Sequence, residues 1–285
     1  MPRFGAHAFI WRSDWAPATA REVIEAVAAT GLDFVEIPLL RPTEFDPAGT
    51  RALLEANGIA ATCSLGLPHD ASLPDDPEGA TRFLRHAIDM VAAIGSPVLS
   101  GVIYGTLGAQ DGRPPTEADY DVIAATLKPL ARDAATLGVA LGIEPVNRYE
   151  TFLVNTTAQG LDLIERIDEP NVFLHLDTYH MNIEERGFAG PIVAAGKHMR
   201  YIHLSESDRG TPGRGNVDWD DVFEGLARID YAGDLVMESF VALNPDIARA
   251  TCMWRDVVED PGRLVGDGLE FLRDLARRHG VLANR

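Results

Sequence analysis

The sequence predicts a single (β/α)8 barrel, a TIM barrel over residues 1–285, and three observations carry that prediction. Short apolar runs alternate with segments whose apolar residues recur at helical spacing. One punctuation repeats: ATGLDFVEI, EANGIAATCSL, AAIGSPVLSG and ATLGVALGIE each join a helix tail, a glycine suited to a left-handed cap and an apolar run. These units recur at roughly 30–40 residues and number about eight, the pattern of βα repeats with parallel strands. No Ser/Gly-rich linker or charge block divides the chain.

Taken in order, RFGAHAFI (3–10) is the first strand, and a helix over 18–30 ends at Gly31. DFVEIPL (33–39) is the second strand, followed by a helix over 46–57 stopped by Gly58. IAATCSLG (59–66) is the third. A Pro- and Asp-rich loop (68–77) leads to a helix over 79–94, Gly95 and the fourth strand PVLSGVIY (97–104). A helix over 115–137, the strand VALGIE (139–144), a helix over 156–168 and the strand NVFLHLD (171–177) follow. A weaker helix around 188–198 precedes MRYIHL (199–204); the last elements are a helix over 218–229, DLVME (234–238) and a helix over 263–279. In such barrels chemistry sits on the loops after the strands. The long connections 104–116, 178–187 and 205–217 are therefore expected lids or substrate walls.

Composition narrows the function. Hydrophobic content of 46% and charged content of 24% are ordinary for a soluble globular protein. A net charge of −18 argues against nucleic-acid and anionic-membrane partners, which need a basic footprint. Cys63 and Cys252 form neither a disulfide framework nor a CxxC pair, and Cys63 reads as a core thiol. The start of the chain lacks a signal-peptide pattern. The uncharged stretch from Met90 to Ala109 is broken by Gly95, Pro97, Gly101, Gly105 and Gly108, so it reads as helix end, turn and strand rather than a membrane span. A cytoplasmic location is expected.

Four residues stand at or just after the ends of four consecutive strand runs: Glu144, Asp177, His203 and Glu238. One strand-end carboxylate is more often a helix cap or a loop salt bridge. Four such positions, about one βα unit apart, point to a shared task. Oxygen-rich ligands with one imidazole suit a hard divalent cation at the barrel mouth: Mn, Mg, Co or Zn by ligand hardness. The absence of a Cys ligand pattern disfavours structural zinc. Further polar groups lie close by in sequence: Glu150 in EPVNRYE, His180 in LDTYHMNIEE, and Glu206 and Arg209 in HLSESDRGTPGRG. His7 and His175 are candidates for lining the barrel, and Glu184–Glu185–Arg186 reads as a solvated charge cluster.

IEPVNRYE, LDTYHMNIEE, HLSESDRGTPGRGNVDW and VMESF closely resemble the family of D-tagatose, D-psicose (D-allulose) and L-ribulose 3-epimerases. These are ketose 3-epimerases within the xylose isomerase-like barrel superfamily. The resemblance is strongest over 143–240 and fair in GAHAFIW and DFVEIPL. It implies an isomerase that interconverts C3 epimers of free ketohexoses and ketopentoses: D-tagatose/D-sorbose, D-fructose/D-allulose and L-ribulose/L-xylulose. It implies that Glu144, Asp177, His203 and Glu238 hold a divalent metal, Mn2+ first and Co2+ or Mg2+ as alternatives. It also implies Glu144 and Glu238 as the acid/base pair that moves a proton at C3 through an enediolate. Glu150, His180 and Arg209 match substrate contacts, and Trp15 and Phe240 match positions walling the far end of the sugar. His7 falls on the pocket wall, where some members carry an aromatic residue. Ser239 stands where some have Pro, and the 104–116 loop lacks a tryptophan found in others. These departures touch substrate preference rather than reaction type. A homo-dimer or tetramer is implied as well. The competing readings are an aldose–ketose or hydroxypyruvate isomerase and an inosose dehydratase-like lyase. A DNA-repair endonuclease on the same barrel is disfavoured by the −18 charge.

Overall fold

The computed structural model describes residues 2–109, 111–240, 245–257 and 260–282. Eight parallel strands close on themselves: β1 (Phe4–His7), β2 (Phe34–Pro38), β3 (Ala60–Gly66), β4 (Val98–Val102), β5 (Ala140–Ile143), β6 (Val172–Asp177), β7 (Met199–Leu204) and β8 (Asp234–Met237). Each pairs with its neighbours in sequence, and β8 closes on β1 with Leu235 opposite Phe4 and Met237 opposite Ala6. Closure leaves no strand edge unpaired.

The outer ring comprises α1 (Pro17–Thr30), α2 (Pro47–Asn57), α3 (Pro77–Ala93), α4 (Glu117–Thr136), α5 (Thr157–Ile167), α6 (Thr178–Glu184), α7 (Ala189–Ala195), α8 (Trp219–Arg228), α9 (Pro245–Thr251) and α10 (Pro261–Arg278). Local chemistry explains their ends. Asp76 caps α3 by accepting from the Gly79 N–H at 2.9 Å, and Asp46 does the same for α2 through Gly49. The repeating glycines Gly31, Gly58, Gly95 and Gly138 all have φ between 66° and 78°, the left-handed exit the sequence pattern requires. Along α3, Ala80, Leu84, Ala87, Ile88 and Val91 recur every three or four residues and are buried. Each large aliphatic side chain sealed this way contributes roughly 1.5–3 kcal/mol.

Every expected strand and helix is present. Two further helices were not expected. Asp177 accepts from the Tyr179 N–H at 2.6 Å and starts α6 inside the connection read as open loop; α9 follows β8. Both have only seven residues, too few to show helical periodicity. Cys63 is buried in the core around the barrel, and the Met90–Ala109 stretch is helix end, turn and β4. Among the described residues no helix is long and apolar enough to cross a membrane.

The interior has two tiers, fixed by the period of two along a strand. Phe34, Phe173, Tyr201 and Val236 pack together as a floor inside the barrel, separate from the larger core under the helices. Two residues further along the same strands come Glu36, His175, His203 and Glu238. Apolar floor gives way to ionisable groups within one pleat.

Candidate active site

Parallel strands bring their C-terminal ends to one face, so Glu144 after β5, Asp177 ending β6, His203 in β7 and Glu238 after β8 converge. His203 Nδ1 lies 3.6 Å from Glu144 Oε1, 3.8 Å from Asp177 Oδ2 and 3.4 Å from Glu238 Oε1. All four residues are buried. Among the described residues His203 Nδ1 has no hydrogen-bond partner, although it is enclosed by three carboxylates. Donor atoms about 2.1 Å from a common ion sit roughly 3–3.5 Å from one another. The orphaned nitrogen, the spacing and the oxygen-rich donor set fit a divalent cation, and three overlapping ligand sets can be drawn from Glu144, His175, Asp177, His180, His203 and Glu238.

The other imidazole nitrogen is accounted for. His203 Nε2 lies 2.7 Å from Glu36 Oε2, which also accepts from the Tyr201 hydroxyl at 2.6 Å. Tyr201 in turn pairs with Thr62 Oγ1 at 2.7 Å. With its proton on Nε2 and held by Glu36, His203 presents the Nδ1 lone pair to the cluster. Sequence reasoning missed Glu36. The signal was a carboxylate in the middle of the apolar run DFVEIPL, where an unpartnered charge is too costly to bury.

Arg209 is buried against the same cluster. Its Nη1 donates to Asp177 Oδ2 at 2.8 Å, to Ser205 Oγ at 3.0 Å and, in a shorter contact, to Glu238 Oε2. Its guanidinium carbon sits 3.9 Å over the Tyr179 ring. The backbone there is left-handed (φ 63°), a conformation that needs outside support in a long side chain. Glu206 supplies it. Its carboxylate turns into its own loop and accepts from the N–H groups of Ser207, Gly213 and Val217 and from Trp219 Nε1, all between 2.8 and 3.1 Å.

On the far side, His180 Nδ1 faces Asn147, and Asn147 Nδ2 donates to Glu150 Oε1 at 2.8 Å. Glu150 lies 3.9 Å from Arg209. Glu184 is not the solvated charge expected: it takes Arg148 in a bidentate pair at 2.8–2.9 Å, tying the loop after β5 to α6. Glu185 likewise accepts from the Thr157 N–H at the start of α5.

Burial is the largest influence on the titration of these groups, and charged neighbours reverse it at Glu238, Asp177 and His203. Burial, joined by the charges of Glu238 and Asp177, pushes Glu144 well above the usual carboxylate range against the pull of His203. Burial raises Glu150 to about 7 despite Arg209. For Glu238 and Asp177 burial also acts upward, but Arg209 overrides it and holds both below their ordinary values. His203 goes up, as Glu36 and Glu238 outweigh its burial; His180 and His7 are driven down by burial. A bound dication would favour the ionised form of every carboxylate here.

His7, Glu144, Glu150, His180, His203, Arg209, Glu238 and Phe240 line an inner cavity of about 80 Å³. It shares Phe9, Leu40, Gly66, Leu107 and Thr251 with an outer chamber of about 630 Å³ that includes α9. Leu107 brings the 104–116 connection to the wall, as its length suggested. Trp15 is elsewhere. Its indole N–H meets Thr50 Oγ1 at 3.3 Å in a groove between α1 and α2, and it lines neither chamber. A short 3-10 turn at Ala8–Ile10 and a further stretch of loop separate Trp15 from the end of β1. Phe9 stands on the wall instead, its ring 5.5 Å from that of Phe240.

The profile of the xylose isomerase-like TIM barrel family matches residues 24–275. An L-ribulose 3-epimerase of Methylomonas sp. (strain DH-1) is 41% identical over 276 residues, covering 95% of this chain and 96% of the relative. This chain belongs to the ketose 3-epimerase family within those barrels. A ketose 3-epimerase of Arthrobacter globiformis is 36% identical over 278 residues, with 95% and 96% of the two chains covered. The structure of D-allulose 3-epimerase from Methylomonas sp. in complex with D-allulose superposes with a TM-score of 0.92 at 39% identity, covering 96% of each chain. The family that the motifs after β5, β6, β7 and β8 resembled is the family found.

Proposed function

We propose that this chain is a metal-dependent ketose 3-epimerase acting on free ketohexoses and ketopentoses. The observation that carries the reading is the pair Glu144 and Glu238. They approach His203 Nδ1 from β5 and β8, three strands apart around the barrel, and both line the inner cavity. Two carboxylates so placed can act on the two faces of one carbon. One takes the C3 proton, the other returns a proton to the opposite face, and the roles exchange in the reverse direction.

Glu144, Asp177, His203 and Glu238 would hold the cation, Mn2+ in the first instance and Co2+ or Mg2+ as alternatives. When bound, it supplies Lewis-acid stabilisation of the negative charge that develops as C3 is deprotonated. Arg209 and His180 hold the C2 oxygen by hydrogen bonds, and Glu150 fixes a hydroxyl. Phe9, Leu107 and Phe240 wall the remaining carbons and keep water from the reacting ones, with His7 beside them. Family resemblance further supports a homo-dimer or tetramer, read by light scattering, and the two free cysteines fit the reduced cytoplasm.

The test is an NMR time course in D2O with D-fructose, D-tagatose, L-ribulose and D-allulose, beside an EDTA-treated control. Metal-dependent appearance of the C3 epimer with deuterium at C3 is the expected result. Label at C1 with an aldose product would move the protein to the aldose–ketose isomerases. Glu144→Gln and Glu238→Gln should each abolish epimerisation, and substantial retained turnover would defeat the acid/base assignment.

A further inference from the structure

We propose that Asn147 is a positioning residue that fixes His180 as a hydrogen-bond donor to the substrate oxygen it shares with Arg209. The proposal rests on the epimerase reading for its substrate, though not for its geometry. Two N–H groups of Asn147 converge on His180 Nδ1, the main-chain N at 3.1 Å and Nδ2 at 2.9 Å. The side-chain amide has one orientation only. Its Oδ1 accepts from the Tyr149 N–H at 2.9 Å while Nδ2 also donates to Glu150 Oε1 at 2.8 Å. Flipping it would set an N–H against the Tyr149 N–H and leave that donor without its acceptor.

An imidazole nitrogen that receives two donors must present a lone pair, so the ring proton sits on Nε2. Nε2 lines the inner cavity, 3.2 Å from Arg209 Nη2 and 3.7 Å from Asp177 Oδ2. A guanidinium has donors only, and an Nε2–H cannot accept from it. Arg209 Nη2 directs an N–H toward Nε2 as well, but a neutral ring accepts at one nitrogen only; the two donors on Nδ1 outweigh the one on Nε2, and the N–H groups of His180 and Arg209 are left to share one further acceptor. The C2 oxygen of a ketose, with two lone pairs and growing negative charge as C3 is deprotonated, satisfies both. The opposite tautomer would turn a lone pair toward that oxygen and repel it.

Asn147 is built to hold this choice. It is buried, and its carbonyl accepts from Glu150 N at 2.9 Å and Thr151 N at 3.2 Å, closing the turn. The neighbouring Arg148–Glu184 pair ties that turn to α6, the helix that carries His180.

The direct test is the two-bond proton–nitrogen spectrum of Mg2+-loaded protein labelled with 15N-histidine, with His180 assigned through His180→Gln. The expected wild-type signal is Nε2–H with Nδ1 unprotonated. Asn147→Asp keeps the shape but offers Nδ1 a carboxylate. Only the main-chain N–H then still points at Nδ1, and the charge of the carboxylate outweighs it, so the proton moves to Nδ1 and Nε2 gives up its hydrogen. That variant should lose about 100-fold in kcat with KM little changed, the scale for removing one such donor. Asn147→Ala keeps the main-chain donor and brings no competing acceptor, so the tautomer stays; its loss falls on KM, because Glu150 loses its amide partner. A purely structural role would lower both variants alike. Nδ1–H in the wild type, or Asn147→Asp with undiminished kcat, would overturn the proposal; if that variant does not fold, the wild-type spectrum decides. An Nε2–H spectrum from protein that turns over no ketose supports the tautomer assignment and counts against the epimerase reading alone.

Discussion

Glu36→Gln removes one negative charge and almost no volume, from a position where two hydrogen bonds meet on one oxygen. Glu36 Oε2 accepts from Tyr201 at 2.6 Å and faces His203 Nε2 at 2.7 Å. A glutamine carbonyl can keep both. Its NH2 would replace Oε1, which has no hydrogen-bond partner among the described residues and lies 3.7 Å from His7 Nε2. The substitution thus isolates charge from geometry. Without the anion behind it, the His203 Nδ1 lone pair is a weaker donor. Partners in this position are worth about 10–100-fold in metal affinity. Because the hydrogen bonds survive, the lower end applies: about 10-fold, or ~1.4 kcal/mol. Glu36→Ala, which also strips both hydrogen bonds, should approach 100-fold. Calorimetric titration of EDTA-stripped protein with Mn2+ reads both values, with circular dichroism as the check on folding. Equal affinity in wild type and folded Glu36→Gln would refute the idea that Glu36 tunes His203, and would leave Glu36 as a core hydrogen-bond acceptor only.

Burial raises Glu150 from 4.5 to about 7, so the neutral acid is the form the folded protein prefers. Its contribution to stability is complete below 4.5 and lost as pH rises through about 7; the melting temperature should fall across that window in the wild type and less so in Glu150→Gln. Glu206→Gln turns an NH2 toward two of the four N–H groups that hold the loop after β7. Each stranded donor costs about 1–3 kcal/mol, so urea unfolding should shift and kcat/KM should drop with Arg209 displaced. Gly101 has φ 107°, and a Cβ there would meet the Leu65 carbonyl oxygen at 2.4 Å. Gly101→Ala should destabilise β4 by about 2–3 kcal/mol in thermal or denaturant unfolding, and an unchanged midpoint would contradict the close approach.

The barrel was legible because each repeat carries its own punctuation, and Glu144, Asp177, His203 and Glu238 because each ends an apolar run. Glu36 and Asn147 were not singled out. Their partners come from distant parts of the chain: Glu36 and His203 are 167 residues apart, Asn147 and His180 33. No local pattern encodes such a bond. Trp15 shows the converse limit, since a matching residue type eight residues beyond the end of β1 says little about which way the chain leaves the barrel. Glu184 looked like surface charge until its partner Arg148 was placed beside it.

The aromatic floor has a kinetic consequence. Phe34 and Phe173 spread their rings beneath Gly5 and Gly142, where even a methyl group would collide at 2.3 and 2.8 Å. With Tyr201 and Val236 they plug the tube from below. Among the described residues, the inner cavity opens into the outer chamber between Phe9, Leu107 and α9. With ion and sugar sharing that route, the ion is expected to enter before the ketose and to leave after it. A saturating sugar should cork the site, so that chelation by EDTA slows as ketose concentration rises.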